Sequence, residues 1–321
     1  MSVYTTVDSE QLDHFLERYV LGKSRTLRPI VAGITNTNYF LDTDAGEFIL
    51  TLYEHHSDDE LDYILGLQQH LAAQSVYCAS PMLDRRGGFY SSLNQRPAAI
   101  IHRVDGAVVS SPGANHCAAI GAELARFHRA GLGFDVKRPN PRGLDWMMAA
   151  CDMLDQQLEA EDRQLVEACL LDYRNLSFEG LPEGAIHADL FHDNALFNDE
   201  GLSGIIDFDY ACNDLFAFDI AVLLNDWCID ADGELNPSLL DATLEAYCEF
   251  RPMSEAELDC MPLMLRFAAL RFWLSRLYDK TFPLSGELTT IKSPDAFRHQ
   301  LVLRSDAGDS LASLFVRHRA G

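Results

Sequence analysis

The chemistry this chain could do is concentrated in one stretch. His187-Ala188-Asp189-Leu190-Phe191-His192-Asp193-Asn194 is followed, thirteen residues after Asn194, by Asp207-Phe208-Asp209. Phosphoryl transfer from ATP to a hydroxyl needs one carboxylate to accept the proton of the attacking group. It also needs oxygen ligands for Mg²⁺ beside the β- and γ-phosphates. A loop can hold the base, Asp189, and a neutral amide ligand, Asn194, on one wall, while a strand ending nearby holds the second carboxylate, Asp207, on the other. The apolar runs Gly184-Ala185-Ile186, Ala195-Leu196-Phe197 and Leu202 to Ile206, with the turn cluster Asn198-Asp199-Glu200-Gly201, predict that geometry. They read as a loop, a hairpin and a strand end, returning Asp207 to the side of Asn194.

The spacing His-x-Asp-x-x-x-x-Asn, then Asp-Phe, is that of a kinase catalytic loop and its metal-binding Asp. Two other readings compete. Asp189 and Asp207 could be solvated turn carboxylates, or His187, Asp189, His192 and Asp193 could form a metal-hydrolase cluster. No other His sits at a comparable strand end, which counts against the cluster. His187 is read as bracing the loop rather than as a base. His192 and Asp193 flank the loop, facing either substrate or solvent.

Around this stretch the patterning changes once. A helix opens at Asp8-Ser9-Glu10-Gln11, carries Leu12, Phe15, Leu16 and Tyr19 on one face, and stops at Gly22. Strand-like segments at Thr37 to Leu41, Phe48 to Tyr53, near Phe89-Tyr90 and at Ala98 to Val104 are interrupted by a helix over 58–74. Beyond Gly106 the pattern is helical: 114–129, 144–158, 161–175, then 214–225, 237–250 and 255–278 after the hairpin, and a single amphipathic tail helix over 295–317. Ser254-x-x-Glu257 is a capping box for the helix at 255–278. The expected class is α+β, a bilobal protein-kinase-like fold. Residues 1–104 would form a small antiparallel-sheet lobe that binds nucleotide. Residues 105–321 would form a larger, mostly helical lobe carrying the catalytic and substrate groups, with Ile100 to Gly106 as hinge.

Composition narrows the partners. The 321 residues carry a formal net charge of −24, which repels nucleic acid and anionic membrane. The eight cysteines form no Cys-x-x-Cys pair, and reduced thiols are the simple reading. Met1 to Phe15 is acidic and lacks the apolar core of a signal peptide, and no apolar run reaches the roughly 18 residues that span a bilayer. The expectation is a cytoplasmic protein with a small-molecule substrate.

Some cations stand out by presence and one by absence. Gly33-Ile34-Thr35-Asn36-Thr37-Asn38 precedes a strand and could cover phosphates with backbone N–H groups and hydroxyls; a plain polar turn would look the same. Thr51 stands where a kinase strand carries its phosphate-binding lysine, and it cannot pair with a helix acid such as Glu60. Lys23 and Arg28 are the nearest cations in sequence. Arg266, Arg271 and Arg276 lie in one apolar helix, five residues apart, so they do not share one face. Each needs a partner, either a core acid or a bound carboxylate.

With these residues in hand, the chain resembles the aminoglycoside-phosphotransferase and choline-kinase-like kinases. The carriers are His187-Ala188-Asp189 through Asn194 and Ile205-Ile206-Asp207-Phe208. Within that superfamily it is most similar to the homoserine kinase branch. The segments pointing there are Ile49-Leu50-Thr51-Leu52-Tyr53-Glu54, Ala211-Cys212-Asn213-Asp214 and Leu270-Arg271-Phe272-Trp273-Leu274-Ser275-Arg276-Leu277, with Asn140-Pro141-Arg142-Gly143-Leu144 and Asn225-Asp226-Trp227-Cys228 in support. The resemblance implies transfer from ATP, with Mg²⁺, to the hydroxyl of L-homoserine, an early step of threonine biosynthesis. It makes Asp189 the catalytic carboxylate and Asn194 and Asp207 the metal ligands. Thr35, Asn36, Thr37 and Asn38 would cover the phosphates, and backbone from Ile101 to Val104 would hold adenine. Arg271 and Asp226 would meet the carboxylate and ammonium of the substrate, with His192 beside them at a position where the family loop has Arg. The resemblance also leaves open another small alcohol or an aminoglycoside as acceptor, a non-catalytic pseudokinase, and the oligomeric state.

Overall fold

The computed structural model describes residues 5–30, 35–283 and 292–318. They divide into two compact units, one running to Asp105 and one beginning at Gly106.

The first unit opens with α1 (Ser9–Leu16), capped reciprocally by Asp8 and Gln11. It stops earlier than the predicted Gly22. Tyr19 and Leu21 are both buried, and residues two apart cannot share one helical face, so the chain turns to insert both. The strands are β1 (Ser24–Pro29), β2 (Thr37–Thr43) and β3 (Gly46–Leu52), then β4 (Ser91–Leu93) and β5 (Arg96–His102) after helix α2 (Asp58–Ala73). They pair antiparallel in the order β1-β2-β3-β5-β4. β1 escaped the sequence reading because its Ser-Arg-Thr-Leu-Arg-Pro run is polar and mostly exposed, as an edge strand can be. The strand expected near Phe89-Tyr90 begins instead at Ser91. One sheet face and α1 bury a core of Leu12, Phe15, Leu41, Leu50 and Ile100 among others.

The second unit runs α3 (Ala114–Gly131), α4 (Leu144–Leu154), α5 (Ala160–Arg174), β6 (Glu183–Ile186), β7 (Ala195–Asn198), β8 (Gly201–Ile205) and β9 (Cys212–Leu215). It continues α6 (Phe216–Trp227), α7 (Pro237–Phe250), α8 (Glu255–Thr281), α9 (Asp295–Asp306) and α10 (Asp309–Val316). β7 and β8 form the expected hairpin, and β6 pairs with β9, a strand the sequence reading missed. The tail is two helices rather than one, because Gly308 sits at φ +50 between them. α6 is buried on nearly every side, so it forms the unit's axis. The capping box of Ser254 and Glu257 opens α8 as expected. No helix among the described residues is long and apolar enough to cross a membrane.

α3 and α7 meet at Gly121. A Cβ there would lie 2.4 Å from the Thr243 carbonyl oxygen, closer than atoms can approach without moving a backbone. Gly121→Ala is therefore expected to cost about 1–3 kcal/mol. A urea unfolding midpoint equal to that of the parent protein would show that the helices do not pack this closely.

Candidate active site

The loop after β6 is tied down from below. Asp219, in the first turn of α6, accepts the backbone N–H groups of His187 (2.9 Å) and Ala188 (2.7 Å) and lies 3.0 Å from His128 Nε2. His128 Nδ1 meets the Tyr247 hydroxyl at 2.7 Å, and that hydroxyl accepts from Arg251 (2.9 Å), which also pairs with Glu257 at 2.8 Å. One assignment satisfies every group. Tyr247 donates to Nδ1, the neutral His128 donates from Nε2, and Asp219 stays ionised with three donors. Burial pushes the Asp219 carboxyl up, but the hydrogen bond and charge of its neighbours outweigh that and hold it below its ordinary range. Burial holds both His128 and His187 below the usual imidazole range.

His187 braces the loop from within. Its buried ring donates from Nε2 to the Ile206 carbonyl (3.0 Å) and accepts the Asp189 N–H at Nδ1 (3.3 Å). The Ile206 N–H in turn donates to the Asn194 carbonyl (3.0 Å). Ala188 and Asp207 both adopt φ +63, a conformation costly for residues with a Cβ. These ties hold the loop and the end of β8 together, with one left-handed residue on each.

Asp189, Asn194 and Asp207 are thereby gathered. The Asn194 amide nitrogen donates to the Asp189 carbonyl (2.8 Å) and lies 3.5 Å from its carboxylate, which leaves the amide oxygen for another ligand. Arg271 stands 3.8 Å from the Asp189 carboxylate and is almost fully buried, its guanidinium over the rings of Phe272 and Tyr210. The surrounding protein pushes the Asp189 carboxyl up to about 7; Arg271 draws it down, and Asp207 pushes it up again. Asp207 keeps an open side to solvent, yet the protein around it, then the Asp209 carboxylate, push its carboxyl up to about 7 as well. Two carboxylates and an amide oxygen are hard donors, and the crowded negative charge favours a hard divalent cation. Mg²⁺ fits such a set, because it needs few protein ligands when substrate oxygens complete its shell. The hydrolase reading loses its histidines, since His187 is spent on the loop and His192 on Asp226.

The remaining candidates divide. His192 and Asp226 pair with each other: the Asp226 carboxylate accepts the His192 backbone N–H (2.6 Å) and lies 2.7 Å from its ring. That contact raises the His192 pKa, and it engages the Asp226 carboxylate. Arg271, the candidate for the substrate carboxylate, lies within ion-pair range of Asp189 at 3.8 Å. Arg266 pairs with Asp172 at 2.8 Å.

In the first unit, Gly33 and Ile34 of the expected phosphate-covering loop lie outside the described residues. Thr37 is fully buried and donates to Glu54 (2.7 Å), so its hydroxyl braces the sheet rather than standing free for phosphate. Thr51 donates to Asn38 across the β2–β3 ladder (2.7 Å), and Arg96 takes Glu54 at 3.0 Å. Glu60 is a capping residue of α2. Around Ile101 the backbone is already engaged: the Ile100 carbonyl accepts from Met82 (2.7 Å), and the His102 N–H donates to Ser80 (2.8 Å). Val104 lies beyond the strand, and Thr35 and Asn36 just before β2.

Asp219 was missed, although an acid inside Phe216-Ala217-Phe218-Asp219-Ile220-Ala221-Val222-Leu223 carries its own signal. An acid at a fully buried position must have donors. Arg138 was missed too; it donates to the Asp209 and Ala211 carbonyls (2.8 Å each) and so braces the turn after Asp207.

Asp219→Ala would orphan two buried N–H groups and the His128 ring, and is expected to cost about 3–5 kcal/mol in chemical unfolding. Two opposed sets of groups act on stability as pH falls. The buried His128 and His187, held below their ordinary range, make it fall as pH drops through about 6.5, whereas Asp189 and Asp207, held up at about 7, make it rise over the same interval.

Comparison with known proteins agrees with this geometry. A family model described as phosphotransferase enzyme family matches residues 26–255. The homoserine kinase of Methylobacillus flagellatus is 42% identical over 316 residues, 98% of this chain and 99% of that protein. The homoserine kinase of Agrobacterium fabrum is 40% identical over 305 residues, 94% and 95% of the two chains. Among solved structures, an amicoumacin kinase in complex with AMP-PNP and Ca²⁺ has a TM-score of 0.70 at 17% identity, covering 95% of this chain and 94% of its own. The Plasmodium vivax ethanolamine kinase has a TM-score of 0.64 at 14% identity, covering 95% of each chain. Those two likenesses establish an α+β, protein-kinase-like fold. A family match spanning most of the sequence, with relatives near 40% identity over almost all of it, makes this chain a member of the phosphotransferase enzyme family.

Proposed function

We propose that the protein transfers the γ-phosphoryl group of ATP to the side-chain hydroxyl of L-homoserine, the activation step that leads toward threonine. The observation that carries the reading is the gathering of Asp189, Asn194 and Asp207 on one braced loop and strand end, in a chain whose relatives near 40% identity are homoserine kinases. Asp189 accepts the proton of the homoserine hydroxyl as that oxygen attacks phosphorus. Its carboxylate is oriented by the Asn194 amide and by Arg271, and the loop that carries it is fixed by Asp219. The Asn194 amide oxygen and the Asp207 carboxylate hold Mg²⁺. That ion, when bound, neutralises charge on the transferring phosphoryl oxygens. Thr35, Asn36 and Asn38 serve the nucleotide phosphates, with adenine held by backbone at Val104, where the strand's own pairing has ended. With this charge and a small-molecule substrate, the protein works in the cytoplasm.

A coupled ADP-release assay is expected to show turnover with L-homoserine well above that with ethanolamine, choline or an aminoglycoside. Equal or greater turnover with one of those would transfer the reading to another acceptor. Asp189→Asn is expected to lower kcat about 10²- to 10⁴-fold while the protein still folds. Retained activity would remove Asp189 from its role. Asp207→Asn is expected to raise the Mg²⁺ concentration needed for half-maximal rate, and an unshifted Mg²⁺ titration would remove Asp207 from the metal.

A further inference from the structure

The cations around Asp189 are nearly all committed. Arg271 faces the Asp189 carboxylate at 3.8 Å, and Lys292 pairs with Asp193 at 2.7 Å. His192 is joined to Asp226 at 2.7 Å, and Arg276 donates to the Ser293 carbonyl at 3.2 Å. Arg138 spends its guanidinium on the Asp209 and Ala211 carbonyls. Arg142 differs. Its backbone N–H is fixed by Asn140 (2.8 Å), whose amide nitrogen is held by Asp214 (2.7 Å), and its guanidinium lies over the Trp146 ring at 4.1 Å. Among the described residues that guanidinium has no carboxylate within ion-pair range, although the chain carries 49 acids against 25 lysines and arginines.

Arg142 is also close enough to Arg271 for the two charges to oppose each other. Its guanidinium stands 5.9 Å from the centre of the Tyr210 ring, and that of Arg271 stands 4.8 Å from the same ring. Tyr210 thus lies near two guanidinium groups, one of which is paired with the Asp189 carboxylate. On α8, one turn beyond Arg271, the Ser275 hydroxyl is buried with no hydrogen-bond partner among the described residues. Two guanidinium groups near one ring, with a buried hydroxyl one turn along from one of them, offer donors to an anion.

Resting on the reading of homoserine as acceptor, we propose that Arg142 binds the substrate α-carboxylate and so selects an amino acid over a plain amino alcohol. Tyr210 and the stacked Trp146 hold the guanidinium in place, and Arg271 adds to the positive field while keeping Asp189 oriented. A planar guanidinium suits a carboxylate because it can donate two parallel hydrogen bonds. The positioning costs little, since the side chain is already laid on an indole.

Steady-state kinetics of Arg142→Gln and Arg142→Lys, with L-homoserine and with 3-aminopropan-1-ol, its analogue lacking the carboxylate, tests this. For Arg142→Gln the KM for homoserine is expected to rise about 10- to 100-fold, as for loss of a charge-assisted contact. The KM for ATP, the kcat and the rate with 3-aminopropan-1-ol should change little, and Arg142→Lys should recover part of the loss. A homoserine KM unchanged in Arg142→Gln overturns the assignment. So does an equal loss on both alcohols, which would make Arg142 a structural brace of the Trp146 face. If the unaltered protein does not phosphorylate homoserine at all, the functional reading itself fails, an outcome the parent enzyme reports before any variant is made.

Discussion

The acceptance of two backbone N–H groups by the Asp219 carboxylate is the contact on which the site depends. The loop after β6 carries a non-glycine residue at positive φ, Ala188, and nothing in its own short sequence would keep it there. A fully buried carboxylate with a fixed partner on its far side supplies the restraint. The cost of burying that charge is met by three donors, and the chain of contacts continues through His128, Tyr247 and Arg251 to Glu257. Four segments distant in sequence, α3, α6, α7 and the start of α8, therefore share in positioning one catalytic loop. A network of this kind is rigid because leaving any member unsatisfied in a low dielectric is expensive.

Around this frame the charges are arranged unevenly. Asp207 opposes the ionisation of Asp189, Asp209 opposes that of Asp207, and Arg271 lies against the first of them. Such crowding is unfavourable in isolation and becomes favourable when a cation and a polyanionic substrate arrive. Catalytic sites are where such perturbed groups are expected. The surplus acid of the whole chain is a separate matter, a surface property that bears on solubility and on nucleic acid more than on the site.

In the first unit, Thr51 was expected from the sequence at the strand position of a phosphate-binding lysine. Its hydroxyl is engaged by Asn38, while the nearby Glu54 pairs with Arg96 and accepts from Thr37. A lysine substituted at Thr51 would therefore meet a carboxamide rather than a waiting carboxylate.

Much of this was legible in the sequence. The spacing of His187, Asp189, Asn194 and Asp207, the hairpin between them and most helices follow from local rules: turn residues, capping boxes and apolar periodicity act over a few neighbours. Elements whose existence depends on a distant partner escaped. β1 is polar and forms because β2 offers a free edge, β9 forms because β6 lies beside it, and the tail divides where one glycine takes a positive φ. Side-chain allegiance was the least legible. Sequence order shows that Arg142, Arg271 and Arg276 are cations and that Asp219 and Asp226 are acids. Which cation meets which acid, and which one is left for a ligand, is a matter of distance in three dimensions, decided only when α4, α6, α8 and the catalytic loop pack together.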